Sequence, residues 1–123
     1  MKYFILAVAG ALGTIGRYLL GGWIYQLLGT QFPYGTLVVN ILGCLTMGFL
    51  GTLADERLLL TPQIRTAILI GFLGAFTTYS SFTYDTWNLL KDGETLRATL
   101  NVGGTFLGCF AGLASGIFLG RVF

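Results

Sequence analysis

Four apolar stretches, each long enough to cross a hydrocarbon layer, take up nearly the whole chain, and this limits the fold more than any motif does. They run from about Tyr3 to Leu28, Tyr34 to Ala54, Pro62 to Leu90 and Leu96 to Val122. A spanning α-helix needs about 20 mostly apolar residues. The 123 residues therefore hold four such helices with short connections and nothing over for a soluble domain. The sequence reads as an all-α integral membrane protein with one membrane domain over residues 1–123. With 54% hydrophobic and 10% charged positions, it has too little polar surface for a water-soluble domain of this size. Lys2 and the apolar run after it look like a signal peptide, but the run is too long, and we take it as a retained first span.

The connections carry turn chemistry. Gly29 to Pro33 is a tight turn, Asp55-Glu56-Arg57 to Thr61-Pro62 ends with a proline suited to a helix start, and Lys91-Asp92-Gly93-Glu94 stops the third span. Trp23, Tyr25, Tyr34 and Trp87 then fall near one interface, as belt aromatics do. With the N-terminus inside, Lys2, Arg57, Arg65 and Arg121 face inward, against Lys91 and Arg97 outside and Arg17 leaning outward. That bias is weak for a rule that reads the excess of Lys and Arg. The chain is thus expected to insert both ways up, and two opposed copies would form an antiparallel, dual-topology homodimer. Four small helices also leave little room for a pore within one subunit.

Several function classes drop out. A net charge of +2, scattered along the chain, does not suit nucleic acid. There is no His, and Asp85 is the one carboxylate inside a span, so no acid/base pair exists and an enzyme is not expected. Cys44 and Cys109 lie in apolar spans without C-x-x-C spacing, and are read as packing or weakly polar lining residues.

The informative residues are the polar ones at membrane depth. The stretch Gly71 to Asp85 (GFLGAFTTYSSFTYD) sets two glycines, a run of hydroxyls and a carboxylate inside the third span. From Gly74 onward a continuous helix is doubtful, so this span is expected to be broken mid-membrane. Freed carbonyls at such a break need partners, and two breaks facing each other across a dimer axis would offer converging oxygens to a hard cation such as sodium. Beyond the break, Tyr79 and Phe82 share a face, with Ser81 and Asp85 beside it. Aromatic edges are positive and could replace part of the hydration of a small anion, or the rings could simply pack.

In span two, Thr36, Asn40 and Cys44 share a face, and Asn40 is either interhelical glue or a donor to an anion. In span one, Ala9, Gly13, Arg17 and Gly21 form a small-residue face with one cation. Arg17 either snorkels to the headgroups or faces a watery vestibule. In span four, Gly104, Gly108, Gly112, Gly116 and Gly120 form a close-packing stripe, with Asn101, Thr105 and Cys109 as a polar track beside it.

Three blocks, Gly10 to Tyr18 (GALGTIGRY), Gly35 to Gly48 (GTLVVNILGCLTMG) and Gly71 to Asp85, resemble the signatures of the Fluc (CrcB) fluoride channels, in order and at the right spacing. The resemblance covers all four spans. It implies a fluoride-specific channel in the cell (inner) membrane that exports fluoride passively and so lowers its toxicity. It further implies an antiparallel homodimer with two fluoride pathways and one structural, non-transported Na+. By position, the Na+ would take main-chain carbonyls of Gly74 and Thr77. The fluoride pathway would comprise Asn40, Tyr79, Phe82, Ser81, Asn101, Thr105 and Cys109, with Arg17 at the vestibule. The chain departs from the family pattern at Tyr79 (usually Phe), at Asp85 (usually Glu) and at Cys109, a weaker donor than a hydroxyl. Two other readings fit a four-span chain of this length. A proton-coupled multidrug exporter would need a carboxylate deep in span one, where only Arg17 stands, and polar tracks on three spans argue against a purely structural subunit.

Overall fold

The computed structural model describes all 123 residues. It is helical throughout: α1 (Lys2–Leu28), α2 (Tyr34–Asp55), α3 (Pro62–Arg65), a π-helical stretch (Thr66–Phe72), α4 (Leu73–Phe76), α5 (Tyr79–Lys91) and α6 (Thr95–Val122). Four segments, Lys2–Leu28, Tyr34–Asp55, Pro62–Lys91 and Thr95–Val122, are long and apolar enough to cross a membrane. At 1.5 Å per residue α1 is roughly 40 Å long, which exceeds a hydrocarbon core of about 30 Å.

The ends of the helices follow from local chemistry. Gly29 takes φ 89°, a left-handed conformation open to glycine, and its N–H still reaches Tyr25 O. Thr61 caps α3 by accepting from the Ile64 N–H at 3.2 Å, with Pro62 in the first turn. Gly93 (φ 79°) turns the chain from α5 into α6.

Packing depends on small residues. A Cβ on Gly112 would come within 3.1 Å of Ile41 O, one on Gly120 within 2.8 Å of Thr52 Cβ, and one on Gly116 would collide with the Leu45 carbonyl. Those glycines let α2 and α6 touch backbone to backbone. Gly104, expected in the same stripe, meets nothing within 4 Å. Four residues turn about 400°, so each step drifts by about 40° and carries Gly104 off the seam. Gly116→Ala should cost about 1–3 kcal/mol by overpacking and lower the thermal unfolding midpoint in detergent; an unchanged midpoint would mean that the two helices part freely.

The small face of α1 packs on the third span: Ala9 lies against Gly71, and Gly13 against the Phe72 carbonyl and Ala75. In the π-helical stretch the Leu73 N–H reaches back to Ile68 O. Nothing in the residues of Thr66–Phe72 accounts for this wider turn.

Within the single chain only 18 of 123 residues are buried. Phe4, Leu12, Leu19, Phe106 and Phe118 all lie exposed. An apolar surface of this extent needs lipid or other protein against it.

Candidate functional site

The helical backbone of the third segment stops at Phe76 and restarts at Tyr79. Gly74, where the interruption was expected to start, is helical; Thr77 (φ −85°, ψ 157°) and Thr78 (φ −150°, ψ 119°) are the extended residues. Two β-branched hydroxyl residues in succession favour this. The Thr77 Oγ1 donates back to Leu73 O at 3.0 Å, and the Thr78 Oγ1 accepts from the Ser81 N–H at 3.2 Å, capping α5.

An extended residue within a bundle of helices loses its helical partners, and Asn40 of α2 replaces them. Its Oδ1 accepts from the Thr78 N–H at 2.8 Å, and its Nδ2 donates to Thr78 O at 3.0 Å. The amide thus pairs with both polar groups of one backbone residue, while its second N–H has no acceptor within the chain. Asn40 is buried, and a glycine one turn away makes room, since a Cβ on Gly43 would collide with Thr77. Arg17 adds a third tie, its Nε donating to Ala75 O at 3.2 Å. The Arg17 guanidinium therefore reaches toward the interruption. No donor within the chain reaches the carbonyls of Gly74, Phe76 or Thr77.

Thr78 separates two open cavities. The first, about 490 Å³, is lined by Arg17, Tyr25, Thr36, Thr78 and Ser81 among others. The second, about 450 Å³, is lined by Asn40, Cys44, Thr77, Tyr79, Phe82, Thr105 and Cys109, again with Thr78. The rings of Tyr79 and Phe82 lie 5.6 Å apart, tilted at 49°. In this second cavity the Thr105 Oγ1 is buried without a hydrogen-bond partner.

The expected residues are therefore divided. Ser81 and Arg17 belong to the first cavity, whereas Tyr79, Phe82, Thr105 and Cys109 belong to the second. Asn101 belongs to neither. It is buried on α6 with its Nδ2 donating to Thr86 Oγ1 at 2.9 Å, because two four-residue steps from Cys109 rotate it by about 80° toward α5. Asn101→Ala should cost about 1–3 kcal/mol as a lost buried hydrogen bond, read as a lower unfolding midpoint; a midpoint equal to the parent's would mean that Thr86 is no anchor.

The Tyr25 ring packs over Gly35, and its hydroxyl lies 3.5 Å from Thr36 Oγ1. Thr36 in turn donates to Asp85 at 2.9 Å. Thr78 and Gly43 were not singled out from sequence. A Thr three residues before the first bonded N–H of α5 is the one local sign of the former.

Residues 4–117 match the family model described as CrcB-like protein, Camphor Resistance (CrcB). The chain belongs to the CrcB family. Among its relatives, proteins named Fluoride-specific ion channel FluC are 47% identical over 122 residues in Solidesulfovibrio magneticus (98% of this chain, 97% of that one) and 43% identical over 121 in Maridesulfovibrio salexigens (98% and 96%). The Geobacter sulfurreducens protein of that name is 44% identical over 116 residues, 94% of each chain. These CrcB relatives are named as ion channels and not as enzymes. With four helices able to span a bilayer, this CrcB chain is a multi-pass membrane protein. The matched region takes in α1, α2, the interruption at Thr77–Thr78 and most of α6.

Proposed function

We propose that this chain is a fluoride-specific channel through which the anion leaves the cell passively across the cell (inner) membrane. The observation that carries this reading is the pair of cavities meeting at Thr78, where Asn40 holds the backbone and keeps a spare N–H. A small anion gives up a strongly bound hydration shell on entry, so it needs donors already in place. In the first cavity Arg17 supplies positive charge, which raises the local anion concentration. In the second, the free N–H of Asn40, the unpartnered Thr105 hydroxyl and the edges of Tyr79 and Phe82 replace water. A larger halide would fit so fixed a set poorly. Cys109 and the Tyr79 hydroxyl complete the lining, and Ser81 serves the first cavity.

The working unit in this proposal is an antiparallel homodimer of dual topology, its interruption in the third span lying at membrane depth. The unpaired carbonyls of Gly74 and Thr77 support it, as does the large apolar surface that one chain leaves uncovered. No group of three or more His, Cys, Asp or Glu residues comes together, so a hard cation at the interruption would depend on backbone oxygen. Na+ suits such hard oxygens, and Gly74 and Thr77 of each copy would hold it. When bound, it would offset the converging carbonyl dipoles and hold the two copies together without being transported.

The reading is tested in cells lacking their own fluoride exporter, by expressing this chain and measuring growth across a fluoride series. Restored growth in fluoride is the expected result. Growth as poor as that of the empty vector, with the protein present in the membrane, would overturn it.

A further inference from the structure

The second cavity holds both cysteines of the chain, and neither is used by the hydrogen-bonding scheme above. Cys44 on α2 and Cys109 on α6 are free and half-buried, and both line the space beside Asn40, Phe82 and Thr105. The backbones cross at this level: a Cβ on Gly108 would stand 2.7 Å from Ile41 Cδ1, and one on Gly112 within 3.1 Å of Ile41 O. The two thiols thus enter one cavity from either side of the α2–α6 seam.

We infer that Cys44 and Cys109 form a two-sulfur site for a soft, two-coordinate d10 cation of the mercuric type, and that its occupancy blocks the second cavity. The donor set excludes other metals. The chain has no His, and no third Cys, Asp or Glu stands with the pair, so zinc cannot find the four ligands it ordinarily takes. The Thr105 hydroxyl is a hard oxygen, whereas paired sulfurs select soft cations. Charge narrows the choice further. Each thiol loses its proton to water as its sulfur–metal bond forms, so a divalent cation gives a neutral product with two protons released. A monovalent cation would leave one uncompensated negative charge in an apolar span, which is costly. The bound ion then occupies the space that, in the channel reading on which this inference rests, belongs to the anion.

The test uses the full chain, purified and reconstituted, with mercuric chloride as the probe. Four readouts are taken: mercury per chain after gel filtration, free thiols by a colorimetric reagent, thiolate-to-mercury absorption in the ultraviolet, and fluoride efflux before and after treatment. The expected result is one mercuric ion per chain, loss of both free thiols, and a block reversed by dithiothreitol. Cys44→Ser and Cys109→Ser should each weaken mercury binding roughly 100-fold or more, because the second sulfur acts at a high effective concentration. Each variant's efflux is scaled to its own untreated rate. Two mercuric ions per chain, or full-strength binding in either single variant, would overturn the two-sulfur site. One ion bound with fluoride efflux unchanged would overturn its placement in the pathway. If untreated protein passes no fluoride, the channel reading and the block both fail, while stoichiometry and absorption still decide the site.

Discussion

Asn40→Asp should abolish fluoride efflux. In the parent chain the Nδ2 of Asn40 donates to Thr78 O and its Oδ1 accepts from the Thr78 N–H. Aspartate keeps the acceptor but sets a second oxygen against the Thr78 carbonyl, and it removes the spare N–H. It also puts a negative charge beside the proposed path of an anion. Two unit charges 4 Å apart repel by about 4 kcal/mol at an effective dielectric constant of 20, roughly a thousandfold in rate. Repulsion therefore exceeds the cost of one lost hydrogen bond, about 1–3 kcal/mol. The check is initial efflux from proteoliposomes at matched protein content, with gel filtration to establish that the variant is folded. Efflux equal to the parent's would remove Asn40 from the path and leave it as a fastener of the interruption.

Thr105→Val separates function from stability in the opposite sense. The Thr105 Oγ1 is buried and finds no partner, although it lines the second cavity. Such an orphan costs about 1–3 kcal/mol, and valine has nearly the same shape without the hydroxyl. The variant should thus unfold at the same temperature as the parent or a higher one. Its efflux should fall about tenfold to a hundredfold, since a hydrogen bond to a charged group is worth about 1.5–3 kcal/mol. A lower unfolding midpoint with unchanged efflux would show that the hydroxyl serves packing and not the anion.

The sequence made some of this legible and hid the rest, for physical reasons. The four spanning helices depend on length and apolarity alone, and their ends on Gly29, Pro62 and Gly93, all of which are local signals. The small-residue face of α1 was also readable, because Ala9, Gly13 and Arg17 share one side whatever helix they meet. The interruption was readable only as a stretch between Gly74 and Tyr79, not as particular residues. Gly74 is a weak helix former but stays helical, and the extended pair is Thr77–Thr78, whose conformation relies on Asn40, 38 residues away from Thr78. No local reading contains that distance. The polar track on α6 divides for a different reason. Asn101, Thr105 and Cys109 are evenly spaced, but the helix turns beyond a full circle every four residues, so the outermost member rotates onto α5.

The central claim, that an anion as small as fluoride passes the Asn40–Thr78 junction while larger halides do not, is tested most directly with an ion-selective electrode. Purified protein is reconstituted in liposomes loaded with equal fluoride and chloride, and efflux is started by a potassium ionophore without any proton gradient. The account predicts fast release of fluoride while chloride stays inside. Equal release of both anions, no release of either, or release that requires a proton gradient would contradict it.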